Sequence, residues 1–163
     1  MAKFLSSPGS ERYRSGGKAA RVVKPNRNPG KPSNALDKAQ LRRISEITIG
    51  HYDRAAEDYW YGTRNHDVSQ NYEALLEAIE GEPPYAILDM GCGPGRDLRH
   101  FHSLGHEAVG LDGSEALVAM ARSYSGCEVL HQDFLAMVLP ESYFDGVFAN
   151  ASLFHVPSQE LPR

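Results

Sequence analysis

Twelve residues, Ile87 to Leu98 (ILDMGCGPGRDL), constrain this chain more than any others. An apolar run breaks directly into three glycines and a proline, and a charged, helix-compatible stretch follows. Strand, bare-backbone turn and helix in that order build the ligand-facing end of an open α/β sheet. Gly91, Gly93 and Gly95 carry no Cβ, so the backbone can approach a ligand closely there. The helix that follows aims its unsatisfied N–H groups and the positive end of its dipole at the same spot. The turn therefore suits an anion, or a ligand with an anionic end.

The rest of the chain fits that reading. AILDM (86–90), EAVGLD (107–112), EVLHQD (128–133) and YFDGVFAN (143–150) are short apolar runs of strand type. Helical stretches separate the first three: RDLRHFHSLG (96–105), and SEALVAMARSY (114–124) with Ser114 as its N-cap. Alternating strands and helices predict a Rossmann-like α/β fold, a mostly parallel sheet with helices on both faces. Two helices precede the sheet. In the first, Leu41, Ile44, Ile47 and Tyr52 share a face and Gly50 breaks or kinks it. In the second, Ser69 is the N-cap and Leu75, Leu76 and Ile79 form the apolar stripe.

Charge divides the chain in two. Residues 1–34 hold eight of the 17 Lys/Arg and one of the 21 acids, a balance of +7 that leaves −11 on residues 35–163. The first segment is rich in Ser, Gly, Pro, Lys and Arg, and its few apolar groups cannot offset the entropy of ordering. It is expected to be a disordered basic tail. Its composition is open to an organelle transit segment, a nucleic-acid arm, a steering arm for an acidic partner, or plain solvated chain. The acidic balance of residues 35–163 argues against nucleic acid as a partner of that part. No apolar stretch is long enough to span a bilayer, so no membrane partner is expected. Cys92 and Cys127 form neither a CxxC nor a Cys/His spacing, so no metal is expected and a reducing, cytoplasmic compartment is the default.

Acidic residues narrow the ligand. Asp89 precedes the glycines, Asp112 closes the second strand 23 residues later, and Asp133 closes the third, followed by Phe134. A carboxylate at the second strand's end can accept both hydroxyls of a ribose. Asp133 can accept from an exocyclic amine beside the flat ring of Phe134. The nicotinamide fingerprint fails because Arg96 stands where its last glycine packs helix on strand, and no GK[ST] follows for a Walker loop.

These segments resemble the class I S-adenosylmethionine-dependent methyltransferases. ILDMGCGPG is similar to their glycine-rich first motif, VGLDGSEALVAMAR to their second, HQDF to their third, and FDGVFANASLFHVP to their fourth strand and its loop. The resemblance spans roughly residues 50–163. It implies S-adenosylmethionine as cofactor and a small-molecule methyl acceptor. It also implies that Asp89 and Gly91 hold the methionine end, that Gly93 and Gly95 allow close approach, and that Asp112 takes the ribose. By the same resemblance Asp133 and Phe134 read the adenine, and Asn150 lies beside the sulfonium. HYDRAAEDYWYGTR (51–64) is similar to the helix that closes over the cofactor, with Tyr52, Tyr59, Trp60 and Arg64 as candidates. No catalytic residue is fixed by the motifs; His155 is open to a role as general base or to packing before Pro157. Arg96 and Arg99 are expected on a solvated helix face.

Family members continue through three further strands, so residues 35–163 are expected to form an incomplete methyltransferase domain with its C-terminal part missing. The fourth strand would then be an exposed edge, open to a dimer or a completing partner. Two function classes follow: methyl transfer to a small molecule, or a truncated cofactor-binding fragment or interaction module without turnover.

Overall fold

The computed structural model describes residues 35–161, so the basic segment 1–34 and everything expected of it lie outside the described residues. The elements run α1 (Lys38–Thr63), α2 (Ser69–Ala78), β1 (Ala86–Met90), α3 (Arg96–Ser103), β2 (Glu107–Asp112), α4 (Glu115–Ser125), β3 (Glu128–His131) and β4 (Gly146–Phe148). Short 3-10 turns occupy Phe134–Ala136 and Leu153–His155. The sheet is parallel throughout in the order β3-β2-β1-β4. Every strand therefore ends on the same edge, and the connections from β1, β2 and β3 all leave from it.

Packing follows the two-residue period of the strands. Ile87, Ala108, Val129 and Phe148 join one core cluster with Tyr72 of α2, Leu98 and Phe101 of α3, and Val118 and Ala121 of α4. Phe101 is the largest side chain fully withdrawn from water, and its ring meets those of Tyr72 and Phe148 edge-on at 5.3 and 5.1 Å. Leu88 and Leu111, whose side chains point to the other face, are buried as well. Val147, beside Leu88 in the register, is 51% exposed, so β4 is an edge strand with one covered and one open face among the described residues.

Several local expectations change. Helix α1 runs unbroken through Gly50, because one glycine costs a helix only about 1 kcal/mol and a capping box at Asp37 and Gln40 starts it firmly. Its inward face is the expected one only in part: Ile44 and Tyr52 turn inward and Thr48 joins them at helical spacing, while Ile47 is 59% exposed. The N-cap of α2 is Val68, and Ser69 is the first helical residue, its N–H and hydroxyl both donated to Asp67. Strand β4 is shorter than its apolar run, since only Gly146–Phe148 pair with β1. Ser114 caps α4 as expected, accepting from the Leu117 N–H at 3.2 Å.

Replacing Phe101→Ala removes the ring around which α2, α3 and β4 meet. The expected loss is about 3–5 kcal/mol of unfolding free energy in urea denaturation; a loss below about 1 kcal/mol contradicts this core assignment.

Candidate functional site

Two backbone hydrogen bonds fold the β1 turn back onto the next strand. The N–H groups of Gly91 and Cys92 both donate to the Leu111 carbonyl, at 2.7 and 3.1 Å. Gly91 has φ +82, and a Cβ there would stand 2.4 Å from the Ser152 Cβ and 3.1 Å from the Phe134 ring. No other residue fits. Gly95, at φ +89, has a different reason: a Cβ would meet the Ala121 backbone at 2.9 Å, so this glycine lets α3 and α4 touch.

Between this turn and α1 lies a cleft of about 690 Å³, counting its open mouth. The sheet edge contributes Gly91, Gly93, Asp112, Asp133 and Phe134. Helix α1 forms the opposite wall through Ile44, Ser45, Thr48, Ile49, Tyr52 and Tyr59. Ser152 and His155 close the side nearest β4.

The carboxylates differ in their surroundings. Asp112 Oδ2 accepts from the Gly93 N–H at 3.0 Å and Oδ1 from the Ser114 N–H at 2.9 Å. Burial nevertheless raises its carboxyl above the ordinary range. Asp133 Oδ1 accepts from the Leu135 N–H at 2.9 Å, and Oδ2 from the Ser45 hydroxyl at 2.5 Å. Asp89 sits behind the turn, 2% exposed, and among the described residues its Oδ2 has no hydrogen-bond partner. Burial first, then the nearby Asp97 and Asp112, push its carboxyl well above the usual range.

Two tyrosines of the opposite wall stand next to His155 or to each other. The Tyr52 hydroxyl and His155 Nε2 are 2.9 Å apart, and the Tyr52 ring meets Tyr59 and His155 edge-on at 5.3 Å each. Burial lowers the His155 pKa, with Asp112 opposing, so the imidazole is neutral near pH 7. Burial likewise raises the Tyr52 and Tyr59 hydroxyls, which stay protonated.

The structure gathers Gly91, Gly93, Asp112, Asp133, Phe134, Tyr52 and Tyr59 at one cleft, with Asp89 directly behind it. Other expected residues point elsewhere. Gly95 faces Ala121 rather than the cleft. Asn150 turns its amide to Asp97, at 3.4 Å, and accepts from Asn71 at 3.1 Å, because the buried Asp97 carboxylate needs donors. Trp60 packs on Tyr124 with ring centroids 4.7 Å apart, and Arg64 lies over Tyr61. Nor is Arg96 on a solvated face: its guanidinium is half-buried and donates to Asp97 and to the Thr63 carbonyl, tying α3 to the end of α1. Arg99 is exposed, as expected. Ser45, Ile49 and Ser152 are not legible as site residues in the sequence. The spacing of Ile44, Thr48 and Tyr52 with Ser45 and Ile49 carries the signal, and the polar members conceal it.

Against known proteins, a model of the methyltransferase domain family matches residues 87–163. A probable S-adenosylmethionine-dependent methyltransferase of Mycolicibacterium smegmatis is 33% identical over 119 residues, covering 72% of this chain and 42% of that protein. The 24-methylenesterol C-methyltransferase 2 of Oryza sativa is 32% identical over 94 residues, covering 52% of this chain and 26% of that protein. Residues 87–163 thus carry a methyltransferase domain. The chain spans less than half the length of these curated relatives. The magnesium protoporphyrin IX methyltransferase of Synechocystis with bound S-adenosylmethionine shares the fold, at a TM-score of 0.56 and 21% identity over 78% of this chain and 68% of that one. The methyltransferase cofactor suits the cleft on physical grounds too. A cradle that only glycine can form faces Asp112 and Asp133, and behind it lies a buried carboxylate, Asp89, one of whose oxygens is unpartnered among the described residues.

His155 gives the methyltransferase domain a measurable pH dependence. Its folded pKa lies below the ordinary ~6.5, so below that pH the unfolded chain takes up a proton the folded site resists. Stability conferred by His155 is therefore full above about pH 6.5 and declines with acid. The melting-temperature difference between wild type and His155→Asn should shift against wild type as pH falls from about 7.5 to 5.5. A pH-independent difference contradicts the burial argument.

Proposed function

We propose that this domain binds S-adenosylmethionine in the α1–sheet cleft and transfers its methyl group to a small-molecule acceptor. The observation that carries the reading is the convergence of Gly91, Gly93, Asp112 and Asp133 on one cleft at one edge of a parallel sheet. Asp112 takes the ribose hydroxyls, its orientation held by two backbone N–H groups. Asp133 and the Phe134 ring receive the adenine, at a carboxylate already able to accept from a donor in Ser45. Asp89 favours a cationic end beside Gly91, since an approaching ammonium group would draw its buried carboxyl toward the ionised form.

When bound, the cofactor supplies a methyl group on a sulfonium that leaves as a neutral thioether in an in-line displacement. Protein residues need mainly to align acceptor and methyl. Tyr52 and Tyr59 exclude water from the α1 side. His155, neutral and hydrogen-bonded to Tyr52, is placed to accept a proton from an acceptor hydroxyl or amine. The relatives' names, a sterol C-methyltransferase among them, support a small-molecule acceptor. Two unpaired cysteines, Cys92 and Cys127, support a reducing, cytoplasmic setting. The open face and edge of β4 are where a second copy or a completing partner would add.

Calorimetric titration with S-adenosylmethionine should show saturable 1:1 binding that Asp112→Ala abolishes. Unchanged affinity in Asp112→Ala contradicts the ribose assignment. For the chemical step, His155→Ala should lower methyl transfer from labelled cofactor by roughly 10²–10⁴-fold while leaving cofactor affinity within a few-fold. Equal turnover in His155→Ala removes the proton-acceptor role.

A further inference from the structure

Asp53 lies on an exposed part of α1, does not line the cleft, and has no part in the reaction as proposed. Its Oδ1 nevertheless accepts two hydrogen bonds, from the Ser114 hydroxyl at 2.6 Å and the Ala116 N–H at 3.2 Å. Ser114 is 1% exposed. Its hydroxyl donates its one proton to Asp53 and accepts from the Leu117 N–H. Its own N–H donates to Asp112 Oδ1, and Asp112 Oδ2 takes the Gly93 N–H. An unbroken chain of hydrogen bonds thus runs from α1, through the first turn of α4, to the β2 carboxylate and the glycine turn.

Each link restricts the next. The Ser114 hydroxyl can point only where Asp53 receives it. That fixes the Ser114 backbone, and the backbone N–H sets one of the two bonds that orient the Asp112 carboxylate. Asp53 is held in the ionised form that accepts these bonds. The Ser114 hydrogen bond draws its carboxyl below the ordinary range, and the N–H groups of Ala116 and Glu115 act in the same direction. A negative charge is also favoured at the N-terminus of α4.

We infer that Asp53 is a positioning residue that couples docking of α1 to the orientation of the Asp112 carboxylate toward the ribose. The inference rests on the cofactor reading given above. Because coupling is reciprocal, ribose binding at Asp112 also favours α1 in its docked place, where it walls the cleft. Asp53 thereby links closure of the site to recognition of the nucleoside without touching it.

The test is calorimetric titration of S-adenosylhomocysteine and of its 2′-deoxyribose analogue into wild type, Asp53→Ala and Asp53→Asn, with melting temperatures of all three. Wild type should bind S-adenosylhomocysteine. Asp53→Ala should bind it about tenfold more weakly while melting within a few degrees of wild type. Asp53→Asn, whose Oδ1 can accept both bonds, should recover affinity to within about threefold. The loss in Asp53→Ala should shrink for the deoxy analogue, which lacks a hydroxyl for Asp112 to hold. A simple helix cap would weaken both ligands alike. Wild-type affinity in Asp53→Ala, or equal losses for the two ligands, overturns the inference and leaves the cofactor reading intact. Failure of wild type to bind either ligand overturns both.

Discussion

The Asp112 carboxylate holds this site together. It ends β2, receives the Gly93 N–H from the turn after β1 and the Ser114 N–H from the turn into α4, and faces the cleft with what acceptor capacity is left. It is half-buried, and an ionised aspartate withdrawn from water in part needs hydrogen bonds there. Here the two backbone donors offset part of that desolvation, while burial still raises the carboxyl above its ordinary range. The group is therefore oriented and keeps acceptor capacity on the cleft side.

The fold brings that carboxylate and the glycine turn together. Parallel pairing puts every strand end on one edge, and the order β3-β2-β1-β4 sets β1 between β2 and β4. The turn after β1 is then flanked by Asp112 on one side and by Ser152 on the other, whose hydroxyl donates to the Met90 carbonyl at 2.6 Å. Gly91 is squeezed between Ser152 and Phe134, so the turn has no room for a Cβ. Helix α1 completes the enclosure from outside the sheet. It is anchored by Ser45 on Asp133, by Asp53 on Ser114 and at its end by Arg96 on the Thr63 carbonyl.

Much of this is legible in the sequence because it rests on local chemistry. Strand runs, the glycine turn, the Ser114 cap and Asp112 at the end of β2 are patterns of a few residues and appear where expected. By contrast, β3 stops at His131, so Asp133 caps the following 3-10 turn instead of closing the strand, and β4 keeps only three residues of its run. What the sequence conceals depends on partners far along the chain. Tyr52 meets His155 across 103 residues, and Asp53 meets Ser114 across 61. Gly95 and Asn150 carry motif positions, yet Ala121 and Asp97 determine where they face. The inward face of α1 is hard to read because Ser45 and Thr48 lie on it. A polar residue in a helical stripe reads as solvent-facing until a carboxylate is found opposite. Gly50 misleads for the converse reason: its intrinsic cost is small beside the packing of a 26-residue helix.

Turn, carboxylates and helix α1 are proposed to act as one nucleoside-binding cleft. Amide chemical-shift mapping during titration with S-adenosylhomocysteine tests that reading most directly, because every contact reports separately. Saturable shifts, with one dissociation constant, are expected at Gly91, Gly93, Gly113, Ser114 and Leu135 together with Ser45 and Ile49 of α1. Shifts confined to other parts of the chain, or strand-end shifts without any response in α1, would contradict it.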